Sequence, residues 1–307
     1  MENSSIIFGP IPSRRFGLSL GIDLSPKIKQ CNFDCLYCEL DGSSTVSKQS
    51  DDILSVKNII SKLKDALKEH TNIDVITFTA NGEPTLYPYL SNLIDEVDKL
   101  KGNKKTLILS NGANIYKKEI QDTLAKIDMV KLSLDCISPK CFKKLDRINS
   151  SVECDKIVPG MIEFRKIFKN QLILEILFVK ELNDTKDEIE LLYQNIKKIS
   201  PNRVDIGTIV RPPAYKVKPV EYEFLESVAN RFEQLPVVIT HKNIVKKLQS
   251  FTKDEIINLL LRRPLTYEDI KNSFDKSSQQ LLNNMLDQNI LKIVQNNNIE
   301  FIVVNTD

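Results

Sequence analysis

Two hydrophobic spacings alternate along most of the chain. One spacing is helical, and it first appears in a segment whose hydrophobic residues share one helix face: Val56, Ile59, Ile60, Leu63 and Leu67. The segment after them, 74–79, is a β-branched and aromatic run typical of a buried strand. On the same criteria the predicted strands are 16–24, 74–79, 106–109, 129–134, 172–179, 204–210 and 237–240. The predicted helices are 56–67, 89–100, 115–127 with Asn114 as its cap, 158–168, 183–199 and 220–232.

Strands that alternate with helices over roughly 240 residues predict parallel βαβ units and an α/β fold. Six or seven units favour a curved sheet, a partial (β/α)6-type TIM barrel. An open, doubly wound sheet is the alternative. In both arrangements the functional side chains lie at the carboxyl ends of the strands.

The pattern changes after about residue 244, which divides the chain into a domain of residues 1–244 and a module of residues 245–307. Three short predicted helices, 253–261, 266–274 and 277–288, precede a predicted hairpin of 290–294 and 300–304. This order is the outline of a winged-helix-like module. The module carries eight basic and eight acidic residues, and 278–288 contains neither Lys nor Arg. DNA binding is therefore not expected, because phosphate contacts dominate that affinity. Docking to protein or to the barrel is expected instead.

Composition narrows the class of protein. The chain has 307 residues, of which 41% are hydrophobic and 27% charged, and its formal net charge is +2. A charge so near zero argues against a protein that works mainly as a polyanion binder. No apolar run approaches the roughly 20 residues of a membrane span, and the first residues lack the pattern of a signal peptide. We therefore expect a cytoplasmic protein with no membrane association. Its six cysteines are then expected to be metal ligands or free thiols rather than disulfides.

The strongest chemical signal is Cys31-Asn-Phe-Asp-Cys35-Leu-Tyr-Cys38, directly after the first predicted strand. Three thiolates on one short loop are suited to a soft metal centre. A structural zinc ion needs a fourth ligand, and neither Cys nor His lies close in the sequence to supply it. A four-iron cube with one iron left open fits better. The alternatives are a zinc site completed from a distant part of the chain, and three unrelated thiols.

The spacing C-x3-C-x2-C, with Tyr37 before the third cysteine, resembles the cluster loop of the radical S-adenosylmethionine (radical SAM) superfamily. Three strand ends extend the resemblance: Asn81-Gly82-Glu83-Pro84 resembles the Gly-Gly-Glu motif, and Ser110-Asn111-Gly112 and Ser133-Leu134-Asp135 resemble SAM-contacting segments. Segments 9–15, 19–23, 144–149 and 211–213 are similar to a subgroup related to the tRNA wyosine-base (4-demethylwyosine synthase-like) enzymes. Taken alone, Asn81–Pro84 would be an ordinary strand-exit turn.

The resemblance implies a 4Fe-4S cluster and S-adenosylmethionine as cofactors. It implies that Cys31, Cys35 and Cys38 hold the cluster. The residues that it places at S-adenosylmethionine are Tyr37, Asn81, Gly82, Glu83, Ser110, Asn111, Ser133 and Asp135. It further implies reductive cleavage of S-adenosylmethionine to a 5′-deoxyadenosyl radical, which takes hydrogen from a substrate that the sequence does not identify, RNA and protein among the options. An electron donor such as flavodoxin or ferredoxin is the implied partner.

Several other polar groups have two interpretations. Arg14, Arg15, Arg147 and Arg211 are weak candidates for binding an anionic substrate at the mouth of a barrel; the alternative is a solvated basic face. Glu175 and Asp205 lie in apolar strands and either face outward at an edge or line a cavity. Cys136, Cys141 and Cys154 are expected to be ordinary thiols, with a second cluster or a hydrogen-donating thiol as alternatives. His241 is expected to be structural rather than a proton donor.

The leading hypothesis is a radical SAM enzyme. The second is a non-catalytic metal-binding regulatory protein that acts through the C-terminal winged helix. The third is a zinc-dependent fold without redox chemistry.

Overall fold

The computed structural model describes residues 6–13, 15–40, 42, 44–49, 52–240, 248–262, 264–296 and 299–305. Arg14, His241 and the boundary expected at residues 244–245 lie outside this part of the chain. The strands of the main sheet are β1 (Ile7–Ser13), β2 (Gly17–Asp23), β3 (Val75–Thr79), β4 (Lys105–Ser110), β5 (Met129–Ser133), β6 (Gln171–Phe178), β7 (Arg203–Thr208) and β8 (Val237–Ile239). The helices between them are α1 (Val56–Glu69), α2 (Leu90–Asp98), α3 (Lys118–Leu124), α4 (Pro139–Cys141), α5 (Cys154–Ile167), α6 (Lys186–Ile199) and α7 (Tyr222–Arg231).

The eight strands form one sheet in the order of the chain, β1 to β8. β1 pairs antiparallel with β2, and every later pair is parallel. The α/β class is therefore confirmed. A doubly wound sheet reverses its strand order at a switch point, and this sheet has no reversal among the described strands. Its sequential winding is the kind found in barrel-like sheets.

The two faces of the sheet differ in chemistry. On β5, Val130 and Leu132 are fully buried and share an apolar cluster with helix residues such as Phe164 of α5. Because side chains alternate along a strand, Lys131 and Ser133 point to the opposite, inner face. The carboxyl ends of the parallel strands all lie at the same edge, and residues 31–38, which contain the three closely spaced cysteines, lie at this edge.

Sequence and structure differ in two places near the site. β1 was not predicted, because Pro10 and Pro12 interrupt its pattern; the structure places it at the edge of the sheet, where proline is tolerated. Asn114 does not cap α3, which begins at Lys118 with Lys117 as its cap residue. Asn114 is buried instead, with Nδ2 3.4 Å from Thr85 Oγ1.

The C-terminal region contains α8 (Lys253–Arg262), α9 (Tyr267–Ser273), α10 (Lys276–Asp287), β9 (Leu291–Asn296) and β10 (Ile299–Val304). β9 and β10 form an antiparallel pair. This region has its own apolar cluster, and Ile11 of β1 packs against it. α10 begins at Lys276, one residue earlier than expected. The third helix therefore contains one basic residue. None of the described helices combines the length and apolarity required to cross a membrane.

Candidate functional site

The cluster loop, residues 31–38, leaves β2 and is held by backbone hydrogen bonds on several sides. Cys38 N–H donates to Cys35 O at 3.1 Å, which tightens the turn between the second and third cysteines. Val46 N–H donates to Cys31 O at 2.7 Å, and Ala214 N–H donates to Cys38 O at 2.7 Å. The loop is therefore fixed from both ends rather than free in solvent.

The spread of the three loop sulfurs bears on which metal centre fits. Within the described residues, the only Cys, His, Asp or Glu groups whose ligand atoms come together in threes within 4.8 Å are Cys136, Cys141 and Glu188. At least one pair of the loop sulfurs is therefore more than 4.8 Å apart. Tetrahedral zinc with Zn–S bonds of about 2.3 Å would need sulfurs roughly 3.8 Å apart. A larger centre fits the three thiols of the loop better than a single zinc ion does.

Two side chains point N–H groups at these sulfurs. Lys29 Nζ lies 3.6 Å from Cys38 Sγ, and Asn111 Nδ2 lies 3.7 Å from Cys31 Sγ. Desolvation raises the pKa of the Cys31 thiol to about 12, and the charge of Glu83 adds to the rise. Burial likewise raises the pKa of Cys35 well above its ordinary value. Binding of a cationic centre at Cys31 and Cys35 would therefore release the protons of these two thiols.

A close backbone approach joins the cluster loop to the end of β3. Gln30 and Gly82 form a parallel bridge, in which Glu83 N–H donates to Gln30 O at 2.8 Å and Gln30 N–H donates to Asn81 O at 2.9 Å. Gly82 has φ +132°, and a Cβ at this position would stand 1.9 Å from Gln30 O. Only glycine fits here. The Asn81–Gly82–Glu83 turn therefore lies directly against the residue that precedes Cys31.

Glu83 is 2% exposed and tied to its surroundings by hydrogen bonds. Its Oε1 accepts from Thr85 N at 3.0 Å, Thr85 Oγ1 at 2.6 Å and Ser110 Oγ at 2.7 Å. Its Oε2 accepts from Asn111 N at 2.7 Å. Burial raises the pKa of this carboxyl, and the same hydrogen bonds limit the rise. Glu83 thus fixes the ends of β3 and β4 together, a positioning role that the sequence did not reveal.

Asn111 connects this carboxylate to the cluster loop. While its backbone N–H donates to Glu83, its side-chain Nδ2 donates to Asn32 Oδ1 at 2.7 Å. The structure therefore brings Cys31, Glu83 and Asn111 into one hydrogen-bonded network, as expected for residues at neighbouring strand ends.

Tyr37 and Asp135 form a second link across the site. Tyr37 Oη donates a short hydrogen bond to Asp135 Oδ2, and Leu177 N–H donates to Asp135 Oδ1 at 2.6 Å. Burial raises the pKa of Asp135 to about 7. Asp135 thus holds the aromatic ring of the cluster loop against the ends of β5 and β6. Ser133 lies two residues earlier, half-buried on the inner face.

We name residues 135–149 the brace, because this segment contacts most of the cluster loop. Leu36 N–H donates to Leu145 O at 2.9 Å, and Asp34 N–H donates to Asp146 O at 3.0 Å. The Cys35 thiol hydrogen-bonds to the Asp146 carboxylate. The brace contains α4 and a π-helical turn, Phe142–Asp146, neither of which the sequence predicts.

Arg147 and Arg211 lie beside the loop but are paired with its acids. Arg147 Nη2 lies 3.2 Å from Asp34 Oδ2, and its guanidinium stacks on the Tyr215 ring at 4.6 Å. Arg211 Nη1 donates to Glu39 Oε2 at 2.6 Å. In this structure both arginines stabilise the flanks of the cluster loop.

Arg15 lies at the other end of the sheet, before β2, among buried charges of the inner face. Its guanidinium pairs with Asp205 through a short contact, and its Nη2 is 3.6 Å from Glu175 Oε1. Lys131 pairs closely with Glu175 and lies 3.7 Å from Asp205 Oδ2. Glu175 and Asp205 therefore line the inside of the sheet rather than an outer edge. Burial alone would raise the pKa of Glu175, but Lys131 and Arg15 hold it below its ordinary value.

Lys131 is not among the residues that the sequence predicts for the site. The sequence feature that could have identified it is a lysine at the centre of an apolar strand. This lysine is on the same face of the sheet as Glu175 and Asp205 of the following strands. Arg203 completes the group, with Nε 3.0 Å from Asp205 Oδ1.

The expectation that Cys136 and Cys141 are ordinary thiols is wrong. The two form a disulfide, with Cα atoms 5.5 Å apart, inside the usual range for such bonds. Helix α4 closes the chain into one turn between them, and this turn was not predicted. Cys154 is a free, half-buried thiol.

The chain is similar to known proteins in sequence and in fold. The family model described as the radical SAM superfamily matches residues 26–194. A UPF0026 protein of Helicobacter pylori (strain J99) is 40% identical over 303 residues, 98% of either chain. A structure of TYW1 with a lysine–pyruvate adduct bound is 16% identical, with a TM-score of 0.53 over 74% of this chain and 76% of that one. Streptococcus suis SuiB bound to S-adenosylmethionine is 18% identical, with a TM-score of 0.53 over 79% of this chain and 53% of that one. At these identities, the two structures support the fold alone.

Proposed function

The chain belongs to the radical SAM superfamily, and we propose that it is an iron–sulfur enzyme of the oxidoreductase or transferase type, built on a partial (β/α)6-type barrel. Cys31, Cys35 and Cys38 would hold a 4Fe-4S cluster, with S-adenosylmethionine beside it. When bound, these two groups supply reductive cleavage of S-adenosylmethionine to a 5′-deoxyadenosyl radical that abstracts hydrogen from a substrate. Membership of the superfamily makes the protein an enzyme; the cluster type, the reaction and the substrate are part of the proposal.

The observation that carries the proposal is the network through Asn111. This one residue contacts both a cluster cysteine and the carboxylate that follows β3. A loop that only stored a metal ion would have no need of a buried carboxylate fixed beside it. Asn111 and Lys29 donate N–H groups toward the sulfurs, and such donors stabilise thiolate ligands.

Of the residues expected at S-adenosylmethionine, some would contact it directly and others would hold the contacting residues in position. Asn81 and Gly82 lie at the turn against Gln30, directly beside the cluster loop, and are the proposed contact residues. Glu83 Oε2 accepts one hydrogen bond, from Asn111, which leaves this oxygen able to accept another from an ammonium group. Ser110 and Asp135 act through Glu83 and Tyr37, and they are therefore positioning residues.

The inner face of the sheet is the proposed substrate space. At the C-terminal end of β4, Leu109 is 38% exposed on this face. The ion pairs of Lys131 with Glu175 and Asp205 fill the inner face further from that end. Arg14 remains a weak candidate for substrate contact, whereas the observed pairs of Arg15, Arg147 and Arg211 favour structural roles. The substrate is RNA or protein, and the similarity to wyosine-base enzymes favours RNA.

Residues 1–244 would form the catalytic domain and 245–307 a winged-helix-like docking module. The helices and hairpin of this module, in the order α8, α9, α10, β9, β10, support that assignment. We propose a cytoplasmic enzyme reduced by a small donor such as flavodoxin or ferredoxin. The regulatory-protein hypothesis is not favoured, because the family and the Glu83 network both indicate catalysis.

Anaerobic reconstitution with iron and sulfide tests the proposal. The wild-type chain should become brown and convert S-adenosylmethionine to 5′-deoxyadenosine with dithionite. Cys35→Ala should lose the cluster while the sheet still folds, and Cys154→Ser, the matched control, should behave as wild type. A colourless, zinc-loaded protein would contradict the proposal. Adding cellular RNA or protein fractions then identifies the substrate class by the fraction that raises turnover.

A further inference from the structure

We propose that Cys136 and Cys141 form a thiol-oxidation site whose redox state sets how firmly the brace holds the cluster loop. The inference rests on the proposed function only in taking the loop to carry a cluster. The pair lies outside the contacts described for the cofactors, and both residues are buried, Cys136 completely and Cys141 at 5% exposure.

The Cys136 side of the pair is anchored. Glu188 of α6 accepts hydrogen bonds from Ile137 N, from Ser138 N at 2.9 Å and from Ser138 Oγ at 2.6 Å. Asn183 Nδ2 donates to Asp135 O at 2.9 Å. The chain from Asp135 to Ser138 is therefore fixed to the turn between β6 and α6 and to α6 itself.

The Cys141 side leads directly to the cluster loop. Cys141 is followed by the π-helical turn Phe142–Asp146, whose Leu145 and Asp146 carbonyls accept the N–H groups of Leu36 and Asp34. A displacement of Cys141 is thus passed within one turn to the segment between the first and third cluster cysteines.

Oxidation of Cys136 and Cys141 to a disulfide would proceed by thiol–disulfide exchange. Each cysteine loses one proton and one electron, an S–S bond forms, and a low-molecular-weight disulfide such as oxidised glutathione is cleaved to two thiols. Bonded sulfurs are about 2 Å apart, whereas non-bonded heavy atoms need roughly 3.5–4 Å. In a close-packed interior this separation displaces neighbouring atoms. Because the Cys136 side is anchored, reduction moves the Cys141 side and loosens the brace.

A metal site is the competing interpretation, since the ligand atoms of Cys136, Cys141 and Glu188 lie within 4.8 Å of one another. Two observations favour oxidation instead. The sulfurs are bonded to each other, and both oxygens of Glu188 already accept hydrogen bonds from the chain.

The test uses cluster-loaded wild-type protein equilibrated anaerobically in glutathione buffers from fully reduced to fully oxidised. The protein is denatured, alkylated and digested with trypsin to measure the oxidation state of Cys136 and Cys141. Cleavage after Lys131, Lys140 and Lys143 puts the two cysteines on separate peptides. We expect peptides 132–140 and 141–143 to be cross-linked in the oxidised buffer and alkylated in the reduced one. Release of iron to a ferrous chelator should be about fivefold faster from the reduced protein, the lower end of typical coupling between sites.

Cys136→Ser should release iron at the rate of reduced wild type in every buffer, and Cys154→Ser should follow wild type. Because the wild-type comparison involves no substitution, a variant that fails to fold does not affect the test. Thiols that stay free at every glutathione ratio, equal iron release from both states, or one zinc ion retained by reduced wild type and lost in Cys136→Ser would each overturn the proposal. A chain that never binds iron would overturn the proposed function and this coupling, while the alkylation pattern would still decide the oxidation site.

Discussion

Gly82 lies so close to Gln30 that a Cβ on the glycine would stand 1.9 Å from the Gln30 carbonyl oxygen. This approach joins the cluster loop to the strand end that carries Glu83. The two candidate halves of the site, cysteines and carboxylate, are therefore positioned by one backbone contact.

Gly82→Ala should separate these halves. Both the clash and the positive φ oppose the new side chain, so we expect the free energy of unfolding of the metal-free protein to fall by about 2–4 kcal/mol. Cluster retention should fall with it. Gly102→Ala is the matched control, because Gly102 also has positive φ, +58°, but no atom lies within 4 Å of its added Cβ. Thermal unfolding measures both, and equal losses would contradict the role given to the Gln30 contact.

Glu83→Ala should keep the cluster but weaken binding of S-adenosylmethionine about tenfold or more, the effect of losing one charge-assisted hydrogen bond. It should also destabilise the chain, since Asn111 N and Ser110 Oγ lose their acceptor. Equilibrium binding of S-adenosylmethionine to the reconstituted protein checks the first effect. Glu96→Ala, at a half-exposed position of α2, is the control, and unchanged affinity in Glu83→Ala would refute the role of this carboxylate.

The stability of the metal-free protein should depend on pH through Asp135. Burial raises its pKa from 3.8 to about 7, so between about pH 4 and pH 7 the folded state holds a proton that the unfolded state has lost. The contribution of Asp135 protonation to the free energy of unfolding is fully present below pH 4. It is lost as pH rises through 7, at up to about 1.4 kcal/mol per pH unit.

Asp135→Asn should flatten this dependence in unfolding experiments between pH 4 and pH 7. Asp146, whose pKa is also raised by burial and by the charge of Asp135, would leave a residual slope. A wild-type free energy of unfolding that rises over this interval, or an unaltered slope in Asp135→Asn, would show that the carboxyl is not held as the structure indicates.

Lys131→Met should destabilise the chain by about 2–3 kcal/mol, because the fully buried Asp205 and the half-buried Glu175 lose part of their neutralisation. Its side chain is 7% exposed and faces Glu175 and the fully buried Asp205. Lys126→Met removes an exposed pair with Asp95 and should change stability by less than about 0.5 kcal/mol. Denaturant unfolding compares the two, and similar small effects would place Lys131 outside the buried charge group.

Elements fixed by local interactions can be predicted from the sequence, whereas groups brought together by distant parts of the chain cannot. Helical and strand spacing predicted β2 and the elements from α1 to β8 other than α4, because burial of one face imposes that periodicity locally. The strand-end positions of Cys31, Glu83 and Asn111 followed from the parallel topology. Lys131 could not be recognised as a buried ion-pair member, since its partners lie 44 and 74 positions further along the chain. The disulfide was missed for a different reason: its short spacing is plain, but the turn that brings the sulfurs together depends on Glu188 of a later helix.

The central claim is that Cys31, Cys35 and Cys38 hold a redox-active cluster with a site for S-adenosylmethionine. Electron paramagnetic resonance of the dithionite-reduced, reconstituted chain, recorded with and without S-adenosylmethionine, tests it most directly. We predict the signal of a reduced 4Fe-4S cluster that changes when S-adenosylmethionine is added and is absent in Cys35→Ala. A chain that gives no such signal, or whose signal is the same with and without S-adenosylmethionine, would contradict the account.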